Sequence, residues 1–173
     1  MADIQICPGC RAALPASDGP VHRYLGASAA CWAVFGALAN AGEPPMTPAP
    51  HNRLLIDAYA AQHPGVPSPQ SIQSVAVHLL ALHGYFVRDV APEHLLRLRQ
   101  RALAAPPGQK HGRFVWLEPP DFSGSITVAE IAALPTPATR TALAARYLDD
   151  VWARWRVRWG DTVGEWYDRY VVQ

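Results

Sequence analysis

His51-Asn-Arg-Leu-Leu-Ile-Asp57-Ala-Tyr59-Ala-Ala-Gln-His63-Pro64-Gly65 leads through Val66-Pro67-Ser68-Pro69 into Gln70-Ser-Ile-Gln-Ser-Val-Ala-Val-His78. The first part predicts a helix from about Asn52 to Gln62. His63-Pro64-Gly65 ends it, because a proline disfavours helical backbone in the residue before it. Ser68-Pro69 then supplies a cap residue followed by proline at the first helical position. The next helix, about 69–84, carries Ile72, Val75, Ala76, Leu79 and His83 on one face. Val77, Leu80, Ala81 and Leu82 make it apolar nearly all round, the pattern of a buried central helix. A helix pair around one short turn therefore sets the fold class as all-α, mainly a helical bundle.

Working outward, Ser28 caps a helix over 29–40 with Trp32, Phe35, Gly36 and Ala39 at helical spacing. The proline-rich stretch 42–50 reads as a semi-rigid connector. Pro92-Glu93 opens a helix to about Leu103, closed by Ala-Pro-Pro-Gly at 105–108. Phe114-Val-Trp-Leu117 suggests a short extended segment or edge strand. Thr127-Val-Ala-Glu130 matches a capping box for a helix to about Leu134. A long last helix, about 138–170, bears Leu148, Val151, Trp152, Trp155, Trp159, Val163 and Trp166 as a core stripe. Such a stripe could also stack on nucleobases, but tryptophan at helical spacing with leucine and valine is core. Asp150, Arg154 and Arg158 form a ladder at i, i+4 spacing. Arg97, Arg99 and Arg101 read as a solvated face.

The chain has 173 residues, half of them hydrophobic, which suits one domain with its own core. Within it, residues 1–27 form a metal-knuckle segment and residues 28–173 the bundle. Fifteen basic residues against fourteen acidic ones leave no field that would recruit nucleic acid or an anionic membrane. No apolar run reaches the roughly 20 residues that span a bilayer. The amino terminus lacks a basic stretch followed by an apolar one, which disfavours a secretory signal. Three cysteines, an odd number, disfavour a disulfide framework. These points place the protein in a reducing cytoplasm.

Residues 1–27 are irregular by pattern and poor in core residues, so they need a staple. Cys7-Pro8-Gly9-Cys10 has the spacing that brings two thiolates onto one metal ion, and Cys31 supplies a third. A redox Cys-x-x-Cys expects a strand before it and a helix after it. Structural zinc takes four ligands, leaving one for histidine. If the first two helices run antiparallel, Cys31 comes beside His63. If they run parallel, His51 is favoured, about 18 Å away along the second helix. The antiparallel pair, and so His63, is preferred.

Asp57 and His78 are nearly equidistant from the turn at 67–68, so they can face each other across the hairpin. A histidine among Val75, Val77 and Leu79 needs a polar partner. A carboxylate would orient its ring and raise its basicity. Tyr59 and Gln62 are candidates to line the same site. Asp57, His78 and Tyr59 are thus the candidate catalytic residues, and Cys7, Cys10, Cys31 with His63 or His51 the candidate metal ligands.

These residues also carry a resemblance. The Cys7 to Cys10 knuckle, Cys31-Trp32, the block His51 to Gly65, Val77-His78-Leu79 and the tryptophan-rich end resemble a family of small bacterial proteins of unknown function. The central block is its specific part. That family usually has glycine where Arg11 stands, and a His-His pair where Arg158-Trp159 stands. The resemblance supports a metal without naming a reaction. Two functions remain in play. One is a zinc-dependent enzyme of hydrolase, lyase or cyclase type, acting on a small molecule in bacterial secondary metabolism. The other is a non-catalytic zinc-stapled binding or adaptor protein.

Overall fold

A computed structural model describes residues 3–40, 51–104 and 113–172. The connector at 42–50 and the closing stretch at 105–108 lie outside these residues, as do the side chains of His51 and Asn52.

The described chain is all-α apart from one small hairpin. Strands β1 (Ile4–Ile6) and β2 (Ala13–Pro15) pair antiparallel, with Gln5 opposite Leu14. Residues 1–27 are therefore not wholly irregular, as their pattern suggested. A three-residue strand carries too little alternation to register as a period, and Ile4 and Ile6 are both exposed. Helices α1 (Ala29–Asn40) and α2 (His51–Gln62) follow, then α3 (Pro69–Val87). The Ser68 hydroxyl accepts from the Ser71 amide with Pro69 in the first turn, and α3 runs to Val87, three residues beyond the expected end. A single 3₁₀ turn (Pro92–His94) precedes α4 (Leu95–Leu103). Helix α5 (Val128–Ala133) starts on the capping box, in which Thr127 and Glu130 satisfy each other's backbone amides. Helix α6 (Pro137–Tyr170) takes Thr136 as its cap. Phe114 to Leu117 pairs with no strand among the described residues, although Phe114 and Leu117 are both buried.

Helix α3 is the centre, packed against α2, α4 and α6. That explains its lack of a polar face, since Leu79, Leu80, Ala81 and Leu82 are all fully buried. The tryptophan stripe of α6 is core, with Trp155 wholly enclosed and Trp159 only partly covered. The Trp155 indole donates to the Ala61 carbonyl at 3.0 Å. That carbonyl is in the last turn of α2, where it has no partner within the helix. Asp150 uses one oxygen on Arg154 and the other on the Ser125 hydroxyl and Ile126 amide, so it anchors the loop before α5. Arg158 instead lies over the Trp159 ring.

His83 is buried between α3 and α6, near Trp152 and Tyr167. Burial, with the Arg88 guanidinium next to it, holds its pKa below the ordinary value near 6.5. The unfolded chain then takes up the proton first as the solution is acidified. This part of the stability is present above the unfolded value and lost as pH falls through the folded one. Denaturant unfolding should show stability dropping between about pH 7 and pH 5, and His83→Gln should flatten part of that drop.

Candidate functional site

Cys7 and Cys10 lie in the turn between β1 and β2. The Cys7 amide donates to the Ala12 carbonyl and the Arg11 amide to the Cys7 carbonyl, which closes the turn. Arg11 sits at φ 65°, left-handed backbone that suits glycine. The turn thus keeps a glycine-type conformation with arginine in it. Cys31 is in the first turn of α1, its amide held by the Ser28 hydroxyl at 3.3 Å. His63 follows the last residue of α2.

The four donor atoms of Cys7, Cys10, Cys31 and His63 all lie within 4.8 Å of one another, and all four residues are buried. They could hold one metal ion. His51 is at the opposite end of α2 from His63. Helices α1 and α2 are therefore placed so that the start of one meets the end of the other. A short strand does precede the Cys-x-x-Cys turn, but a second strand follows it where a redox motif would have a helix.

Contacts around the donors set their chemistry. His63 Nδ1 donates to the Tyr59 carbonyl at 2.8 Å, which leaves Nε2 as the lone-pair nitrogen, 3.4 Å from the Cys31 sulfur. The His63 ring also stacks on Tyr59 and covers Gly9. A Cβ at Gly9 would come within 2.5 Å of His63 Cδ2 and 2.8 Å of the Gly26 carbonyl. Only glycine fits there. The Tyr59 hydroxyl donates to the Cys31 sulfur at 3.6 Å. Burial, then the nearby Cys31 thiol, push the Tyr59 pKa up, so it stays a donor. Hydrogen bonds from Cys10 and Cys31 pull Cys7 well below the usual thiol range. Hydrogen bonds to Cys10 and Cys7, with burial, drive Cys31 well above it. For Cys10, Cys31 acts to lower the pKa, but Cys7 and burial outweigh it and bring the value to about 11. Three crowded thiols can thus carry one negative charge easily and resist further ones. A divalent cation is what would let the others ionise.

Asp57 and His78 also meet, at 2.8 Å between a carboxylate oxygen and Nδ1. Asp57 is fully buried, whereas His78 keeps partial exposure. A third member is Arg99, read from the sequence as part of a solvated face. Its Nη1 donates to both Asp57 oxygens, at 2.8 and 2.6 Å. The group spans α2, α3 and α4. His78 and Arg99 line a cavity of about 460 Å³ over α3 and α4, together with Tyr24, Gln73, Leu96 and Leu103.

Tyr59 and Gln62 do not line it. Two residues apart on a helix are about 200° apart around the axis, so Asp57 and Tyr59 must face different neighbours. Tyr59 belongs to the cysteine cluster. Gln62 is buried, donating to Ser125 and the Ile126 carbonyl and accepting from Tyr147.

The profile of a family described as a family of unknown function (DUF5946) matches residues 5–156. Neither the curated proteins nor the solved structures give a match. The matched span includes all four cluster residues and the Asp57, His78 and Arg99 group.

Gly9→Ala removes no ligand, yet it should lower metal affinity about 10- to 100-fold by displacing the His63 ring. Competition with a chromophoric chelator measures this, and unchanged affinity would mean the ring is not a ligand. Arg11→Gly should stabilise the folded protein by about 0.5–1 kcal/mol, since it relieves left-handed backbone at a modest entropic cost. Denaturant titration of the metal-loaded protein tests it.

Proposed function

Since the chain belongs to DUF5946, a family of unknown function, we propose a reading from the site alone. It is a zinc-stapled helical protein that binds a small molecule in the His78 cavity, with the metal structural. The observation that carries this is the closed, buried set of three cysteines and one histidine. Four protein donors fill a tetrahedral shell, whereas catalytic zinc keeps a position for water. The donor spacing suits zinc. Bond lengths of about 2.3 Å to sulfur and 2.0 Å to nitrogen imply about 3.8 Å between two sulfurs and 3.5 Å from sulfur to nitrogen. Cys10 and Cys31 are 3.8 Å apart, and Cys31 and His63 Nε2 are 3.4 Å apart.

When bound, zinc would supply a cross-link between the hairpin, α1 and α2. The side chains at the cavity do something separate. Asp57 fixes the His78 tautomer by accepting from Nδ1, which leaves Nε2 to accept a hydrogen bond from a ligand. Arg99 neutralises Asp57 and places a cation beside the imidazole. The arrangement suits recognition of a ligand by hydrogen bonding at His78 Nε2.

A second reading has its own support. An imidazole oriented by a carboxylate is also the arrangement of a general base. An enzyme of hydrolase, lyase or cyclase type would take a proton from its substrate at His78 Nε2. His78→Asn separates the two, because a base loses turnover with little change in ligand affinity, while a recognition residue loses affinity.

Cobalt substitution tests the structural role of the metal. The cobalt protein should show the intense visible bands of a tetrahedral thiolate-rich site, unchanged by added azide or cyanide. Spectral change on adding either anion would reveal an open position and overturn the structural reading.

A further inference from the structure

The Arg99 guanidinium has five N–H donors, and Asp57 occupies only its Nη1. Among the described residues, Nη2 and Nε have no hydrogen-bond partner, and the Arg99 side chain is partly exposed where it lines the cavity. Nη2 and Nε lie side by side as a fork that matches a carboxylate. His78 Nε2 is open in the same way, as an acceptor.

Charge points in one direction. No acidic side chain among the described residues lines the cavity. Asp57 is fully buried, with its oxygens already taken by Arg99 and His78. A ligand therefore meets a cation with its counter-charge set behind it. Apolar surface completes the site. Val77 is buried in the wall, while Leu96 and Leu103 stand half-exposed at the rim.

We propose that the cavity takes a small organic acid with a hydroxyl group. Its carboxylate pairs with Arg99 Nη2 and Nε, its hydroxyl donates to His78 Nε2, and its apolar body lies on Leu96 and Leu103. This rests on the reading of the cavity as a ligand site. Asp57 already balances the Arg99 charge, so selection rests on the paired Nη2 and Nε donors and on a lining without acidic side chains among the described residues. Both suit a planar carboxylate better than a phosphate dianion. The volume of about 460 Å³ is that of a site for a compact ligand.

The test uses the full-length, metal-loaded protein with 3-hydroxybenzoate, benzoate and 3-hydroxybenzamide as probes, read by calorimetry and by NMR of the His78 ring and Arg99 side chain. The hydroxy acid should bind at least tenfold tighter than the amide, and more tightly than benzoate, and should shift both sets of signals. Leu96→Glu places a carboxylate at the rim on an exposed residue, away from the core. It should weaken the hydroxy acid at least tenfold more than the amide, which loses the same apolar contact but carries no charge to repel. Equal affinity for acid and amide, or indifference to Leu96→Glu, would overturn the assignment to an organic acid while the ligand cavity stands. Equal affinity for benzoate and the hydroxy acid would remove His78 from the proposal. No shift at either residue with any probe would overturn the cavity reading as well.

Discussion

Three sulfurs and one imidazole nitrogen must converge from three separate pieces of chain. That requirement constrains the amino-terminal half of the molecule. The hairpin brings little apolar surface of its own, since Ile4 and Ile6 face solvent, so its position follows from Cys7 and Cys10. Cys31 needs the start of α1 beside the turn, and His63 needs the end of α2 in the same place. Antiparallel α1 and α2 meet both needs. The backbone adapts as well. The Gly26 amide donates to the His63 carbonyl at 2.9 Å, and Leu25 bridges Pro64. Gly9 lets the imidazole lie close over the turn. The Cys-Pro-Gly-Cys knuckle and the Gln-His-Pro-Gly helix end are thus two halves of one packing arrangement.

Helix α2 divides the molecule's polar chemistry. One side carries Tyr59 and leads to His63, and another carries Asp57. The periodicity of the helix keeps the two apart. The cysteine and histidine cluster and the cavity can therefore be perturbed separately from one helix of twelve residues. Burying Asp57 requires partners, and it has two, from α3 and α4. Removing either would leave a buried carboxylate short of hydrogen bonds, a large penalty compared with any single surface contact.

Much of this was legible in the residues. Ser68-Pro69 and Thr127 with Glu130 mark helix starts through local capping, which involves only three or four consecutive positions. Cys7, Cys10 and Cys31 declare themselves by type and spacing, and the antiparallel argument pointed to His63. The pairing of Asp57 with His78 followed from their symmetric distance about one turn. Arg99 was not legible, because its partner lies 42 residues away and its neighbours Arg97 and Arg101 do face solvent. Nor was the hairpin, whose strands of three residues are set by the knuckle and not by a hydrophobic period. Grouping Tyr59 with Asp57 ignored the angle between residues two apart. Gln62 looked like a site residue, but it holds the loop before α5 to α6.

The Tyr59 hydroxyl on the Cys31 sulfur bears on how the protein would age under oxidants. A donated hydrogen bond draws electron density from a thiolate and makes it a poorer nucleophile. Cys31 sits on α1 against Tyr59, whereas Cys7 and Cys10, equally buried, belong to a turn whose Pro8 and Arg11 are exposed. Local opening of that turn, which two backbone hydrogen bonds close, would expose its sulfurs to peroxide or an alkylating agent before Cys31. Damage would then begin at the turn sulfurs and peel the hairpin away while Cys31 stays reduced. The wear of this protein would start at its edge and leave the cavity for last.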